Sequence, residues 1–180
     1  SSDLIVCLQE TRWTASTATN FLQTYPGFNI AHTPSIVTEN GGLSGGVAIL
    51  ISCAFRLLQE VVITPGKLIA AQVQTRTDRF WVVSAYCHPN SARDDCEALA
   101  RWLADRQDDS DPFFIVGDFN HSNHLSLDAW QRILSCAQGE EIVNDEPTFW
   151  GPNGSSSLDK VILPAEYMNR GLIQHQVFYD

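Results

Sequence analysis

Short unbroken runs of branched and apolar residues recur along this chain: Leu4-Ile5-Val6-Cys7-Leu8, Val47-Ala48-Ile49-Leu50-Ile51 and Phe113-Phe114-Ile115-Val116. Runs this short and without alternation predict strands buried on both faces, because a half-exposed strand would place a polar residue at every second position. A chain built around them has to stack its sheets against other layers. Three further strands, Leu57 to Ile63, Leu68 to Thr75 and Arg79 to Tyr86, are separated by the turn signals Pro65-Gly66 and Thr77-Asp78 and predict an antiparallel meander. Phe28 to Ala31, Leu158 to Leu163 and Leu172 to Tyr179 also read as strands.

Between these runs the period changes. Cys96, Leu99, Ala100 and Leu103 form the apolar stripe of an amphipathic helix over Ser91 to Asp105. Ser91 with Asp94 three residues on has the form of a capping box. A second helix is predicted over Ser126 to Leu134, with Leu127, Trp130 and Leu134 on one side, and a weak one over Thr14 to Leu22, stopped by Tyr25-Pro26-Gly27. Asn40 to Gly46 reads as a flexible glycine turn and Gly151 to Ser157 as a glycine-serine loop. Strands arriving in runs, with helices between the runs, give an α+β class: a two-sheet β-sandwich flanked by helices.

Composition narrows the function. A length of 180 residues suits one domain, and 44% hydrophobic with 10% aromatic residues excludes disorder and collagen-like structure. The formal charge of −10 argues against a surface that coats nucleic acid, which is normally basic. It leaves room for an enzyme whose carboxylates hold a cation that in turn meets phosphate. No apolar stretch approaches the roughly 20 residues of a membrane-spanning helix, so no membrane insertion is expected. Five cysteines, an odd number without a CxxC pair, read as reduced and mostly buried thiols of a reducing compartment, in a protein that is not secreted. Ser1 stands just ahead of the first apolar run and reads as a processed or trimmed start.

Three acidic residues share one context. Glu10 ends the first buried run, Asp118 ends another, and Asp159 stands just inside the start of a third. A strand end is a stiff mount from which a side chain can reach a cleft. Mg2+ takes oxygen ligands and uses only one or two protein carboxylates, with phosphate completing its shell. Such a cation polarises a phosphoryl oxygen and steadies the leaving group. Asn120 supplies an amide that can donate to phosphate. Carboxylates at strand ends also cap loops, and Gly-Asp-Phe-Asn by itself is a plausible turn.

Leu8-Gln9-Glu10-Thr11, Gly45-Gly46-Val47-Ala48-Ile49, Tyr86 with Pro89-Asn90, Val116-Gly117-Asp118-Phe119-Asn120, Thr148-Phe149-Trp150 and Leu158-Asp159-Lys160-Val161 follow one another in an order that resembles the endonuclease/exonuclease/phosphatase superfamily. Its branches include apurinic-site endonucleases and the endonuclease domains of non-LTR retrotransposons. The resemblance covers nearly the whole chain and implies a DNase I-like, four-layer fold in a single domain over 1–180, truncated at both ends. It implies a Mg2+-dependent (or Mn2+-dependent) phosphodiester hydrolase, most like an endonuclease acting on DNA.

Residue by residue, the resemblance makes Glu10 the metal ligand and Asp118 the group that positions or deprotonates the attacking water. Asn120 and Tyr86 become contacts to the scissile phosphate. Asp159 takes the place of the carboxylate that orients a catalytic histidine. Asn90, Phe149 and Trp150 become substrate-binding residues, the two aromatics being equally consistent with core packing. The family's first strand, which carries an asparagine, and its closing Ser-Asp-His have no counterpart here. Tyr86-Cys87-His88-Pro89 is one residue longer than the family's Tyr-x-Pro. His88 and His121 are candidates to stand in for the absent histidine, although a histidine beside a site is more often a loop residue. The alternative is a catalytically inactive relic, serving as a structural or interaction subunit. Protein partners would then cover an exposed sheet edge that otherwise leaves the chain poorly soluble.

Overall fold

The computed structural model describes residues 3–106, 110–120, 127–142, 147–151 and 154–168. The expected strand Leu172 to Tyr179 and the candidate His121 lie outside them. The chain opens with β1 (Ile5–Leu8), α1 (Ala15–Thr24) and β2 (Phe28–Thr33), then a small ribbon of β3 (Ile36–Val37) and β4 (Leu43–Ser44). Next come β5 (Val47–Ser52), β6 (Arg56–Thr64), β7 (Leu68–Gln74), β8 (Arg79–Tyr86) and α2 (Ala92–Ala104). The chain continues through β9 (Phe113–Asp118), α3 (Leu127–Cys136) and β10 (Gly139–Glu141). It closes with β11 (Phe149–Gly151), β12 (Gly154–Ser156), β13 (Asp159–Pro164) and α4 (Ala165–Met168).

Two main sheets result, one ordered β1-β5-β2 and one ordered β10-β13-β9-β8-β7-β6. The predicted meander is β6, β7 and β8, all antiparallel. β9 then joins β8 in parallel. A parallel neighbour demands a crossover, and α2 supplies it. One core lies between the sheets, where Val47, Ile49 and Ile51 meet Ile69, Ala71, Val73 and Val82. A second lies on the other face of the larger sheet, where Trp81, Val83, Phe113 and Ile115 meet Cys96, Leu99 and Leu103 of α2 and Ile133 of α3. The period-two side-chain alternation of β7 and β8 feeds both cores at once, whereas β9 sends Phe113 and Ile115 into the second core and leaves its other face half-buried, short of the burial on both faces expected of its run. The layers are α1, sheet, sheet, and α2 with α3.

Several further details differ from expectation. β1 is half-buried rather than buried on both faces, because it is the edge of its sheet and pairs with β5 alone. Ser91 caps α2 without a side-chain bond to its first turn. Its hydroxyl instead donates to Asp95 Oδ2 at 2.9 Å and accepts from Lys67 Nζ at 2.8 Å, so a tertiary ion pair outcompetes the capping box. The buried face of α3 runs through Ala129, Trp130 and Ile133, with Leu134 at its margin. The glycine-serine segment contains β12, paired antiparallel with β11. Cys87 and Cys96 are buried as expected, but Cys53 is exposed and Cys7 and Cys136 are half-buried. No described helix is long and apolar enough to cross a membrane.

Candidate active site

β9 ends in Gly117-Asp118, and each residue of the motif has a separate task. Gly117 pairs with Ala85 of β8 so closely that a Cβ would stand 2.8 Å from the Ala85 carbonyl carbon, so only glycine fits. Phe119 is fully buried and stacks edge-on against Trp130 of α3, with ring centroids 5.0 Å apart. It anchors the strand end from below. Asn120 adopts φ 44, a conformation non-glycine residues seldom take, and its backbone N–H donates to Asp118 Oδ1 at 3.0 Å. Its amide Nδ2 donates to Asp118 Oδ2 at 3.2 Å and to the Cys87 carbonyl at 2.9 Å. Both carboxylate oxygens of Asp118 are thereby fixed in direction.

Two strands flank Asp118. Tyr86 is its register partner on β8, and Asp159 its register partner on β13. Thr148 holds the start of β13, its Oγ1 accepting from the backbone N–H groups of Leu158 (2.9 Å) and Asp159 (3.1 Å).

Glu10 arrives from the other sheet. Gln9 Nε2 donates to the buried Ser84 Oγ of β8 at 2.9 Å, which clamps the end of β1 over β8. Glu10 and Arg12 both have positive φ, 50 and 53. The turn that contains them is pinned by Thr11 N–H to the Gly46 carbonyl (2.9 Å) and Arg12 N–H to the Gly45 carbonyl (3.0 Å). Gly45 sits so near the Gly66 carbonyl that it too must lack a side chain. Strained backbone persists where surrounding bonds over-determine it, and here it gathers at Glu10, Arg12 and Asn120.

The carboxylates lie close enough to act on one another's charge. The Asp118 carboxyl is raised above its ordinary pKa, first by burial and further by the negative charges of Asp159 and Glu10. The Tyr86 phenol is raised by burial and then by Glu10 and Asp118, with Arg12 acting in the opposite sense. The structure therefore brings Glu10, Tyr86, Asp118, Asn120 and Asp159 to one rim. Asn90 lies in the turn before α2, its backbone N–H donating to His88 Nδ1 at 3.2 Å. The side chains of Phe149 and Trp150 lie outside the described residues. His88 stands edge-on to the Tyr86 ring, 6.5 Å between centroids.

Arg12, Gln9 and Thr148 were not singled out from sequence as site residues. Gln9 and Thr148 lay inside quoted motifs, but their roles depend on pairing between sheets. Arg12 offered only its charge and its place two residues after Glu10.

Among the described residues no three or more His, Cys, Asp or Glu side chains gather into a ready-made metal cage. The donor set nevertheless fits a hard cation of the Mg2+ type, which needs only one or two protein carboxylates. Glu10 is exposed at the rim, and the like charges that raise Asp118 are what a nearby cation relieves.

A family model described as the endonuclease/exonuclease/phosphatase family matches residues 2–173. The chain belongs to the endonuclease/exonuclease/phosphatase family. No curated protein matches it in sequence. Solved structures of similar fold include the human Nocturnin catalytic domain with bound sulfate anion, at 17% identity and TM-score 0.65, covering 89% of this chain and 69% of that one. The endonuclease domain of TRAS1, a telomere-specific non-LTR retrotransposon, is similar at 14% identity and TM-score 0.61, covering 91% and 73%. A mannosyl-6-phosphatase of Bacteroides thetaiotaomicron is similar at 11% identity and TM-score 0.61, covering 89% and 71%. The DNase I-like architecture is thus that of a hydrolase family whose members act on quite different phosphate esters.

Proposed function

We propose that this cleft hydrolyses phosphodiester bonds with the help of Mg2+, and that DNA is its substrate. The observation that carries the reading is the convergence of Glu10, Asp118 and Asp159 from three strand ends, with Asn120 locked beside them. Asp118 has the direction and the raised proton affinity of a group that takes a proton from water attacking phosphorus in line. Tyr86 would hold a non-bridging oxygen, Asn120 would join it by exchanging one of its amide bonds to Asp118 or the Cys87 carbonyl, and Asp159 would act on Asp118 from the neighbouring strand. Glu10 would hold the cation, which when bound polarises the phosphoryl oxygen and neutralises charge on the leaving group. The substrate choice rests on the motif wording and on the nucleic-acid endonuclease among the similar folds.

A panel of plain plasmid, abasic DNA, a sugar phosphate monoester and a sphingomyelin vesicle, each with Mg2+, tests the proposal. Cleavage of one DNA substrate that Glu10→Gln abolishes supports it. Turnover of the monoester or lipid alone removes DNA from the reading. A second reading, a relic serving as a structural subunit, draws on the half-buried edge strand β1, whose outer backbone groups a partner strand could pair. Absence of any Glu10-dependent turnover across the panel favours it.

A further inference from the structure

We infer that Arg12 is a phosphate-binding residue of this cleft, held on Glu10 while the cleft is empty. The inference rests on the phosphodiesterase reading above for the identity of the ligand. Arg12 Nη2 meets Glu10 Oε1 at 3.3 Å, and both side chains are open to solvent, 66% and 47% exposed. An ion pair this exposed is weak and easily exchanged. The Arg12 backbone is the reverse: φ 53 and a fixed bond to the Gly45 carbonyl hold it rigidly, at a place from which its charge acts on Tyr86. A rigid mount with a loosely parked head suits a group that changes partner.

Charge balance points the same way. A phosphodiester approaching Glu10, Asp118 and Asp159 meets three negative groups. The two lysines on neighbouring elements are already committed, Lys67 to Asp95 and Lys160 to Glu141. Arg12 is the described cation whose partner a divalent ion would displace, since the ion and the guanidinium compete for the same carboxylate. Once released, its planar fork matches two phosphate oxygens.

Arginine-selective modification by phenylglyoxal, read site by site by mass spectrometry, tests this without any turnover. In Glu10→Gln the guanidinium is free, and inorganic phosphate should slow modification of Arg12 about fivefold while sparing the other arginines. An unchanged Arg12 rate in that variant overturns the inference. In the wild-type chain Mg2+ alone should speed Arg12 modification about threefold by taking Glu10. Phosphate protection in Glu10→Gln without any Mg2+ effect in the wild type would uphold phosphate binding by Arg12 and count against Glu10 as the metal ligand. A Mg2+ effect without phosphate protection would do the opposite.

Discussion

Asp118 and Asp159 are direct cross-strand partners, the last residue of β9 facing the first of β13. Like charges placed opposite one another on a sheet are destabilising, so this pairing spends stability at the place where the chemistry is proposed.

The first prediction follows from that repulsion. Asp118 has a folded pKa raised above its unfolded value by burial, Asp159 and Glu10. Its neutral form is therefore favoured by the fold. The stability this contributes is complete below the unfolded pKa and is lost as pH rises through the higher folded pKa. Asp159→Asn removes one of the opposing charges. It should stabilise the protein by about 0.5 kcal/mol at neutral pH, and the gain should vanish once Asp118 is neutral. Denaturant unfolding at pH 7 and pH 3 checks the pattern. A carboxyl-carbon NMR titration should place the Asp118 pKa lower in the variant.

Gly117→Ala tests the close approach of β8 and β9. The added methyl meets the Ala85 backbone rather than a side chain able to turn away. A loss of about 3 kcal/mol is expected from overpacking of this kind, measured as a fall in the urea midpoint. Because Gly117 precedes Asp118 and pairs with Ala85, the residue before Tyr86, activity should fall further than the folded fraction does.

Lys67, Asp95 and Ser91 form a largely buried polar triad, with Lys67 Nζ 3.0 Å from both Asp95 oxygens. Asp95→Ala strands the ammonium and should cost about 3 kcal/mol. Ser91→Ala removes one shared hydroxyl and should cost about 1 kcal/mol. The Lys67 carbonyl accepts from Tyr86 N–H at 2.8 Å, so the first variant should also disturb the site. Thermal unfolding of the two variants gives the ranking. Equal costs would refute the triad as the main stabiliser of this corner.

The fold was readable where burial leaves no choice. The run of β5 is apolar because every residue in it is buried, the α2 stripe from Cys96 to Leu103 lies where its period puts it, and the run of β9 is buried on one face but only half-buried on the other. Glu10, Asp118 and Asp159 were readable as strand-end carboxylates. What sequence could not show depends on pairing between distant segments. The half-burial of β1 follows from its edge position in the sheet. Ser91 was misread because the partner that captures its hydroxyl, Lys67, is distant in the chain and local capping rules do not see it. The Arg12 contact with Glu10 is local, but its use depends on a turn held by Gly45 and Gly46. The placement of Asn90 as a substrate contact drew on the family's order of motifs, and its backbone sits in the turn before α2.

The central claim is that the carboxylates converging at this rim carry out metal-assisted phosphodiester hydrolysis. Single-turnover cleavage of a DNA phosphodiester by the wild-type chain and by Asp118→Asn, with Mg2+ and then with EDTA, tests it most directly. The account predicts cleavage that EDTA abolishes and that Asp118→Asn lowers by about a thousandfold while the variant stays folded. Cleavage that proceeds equally in Asp118→Asn, or undiminished in EDTA, would contradict it.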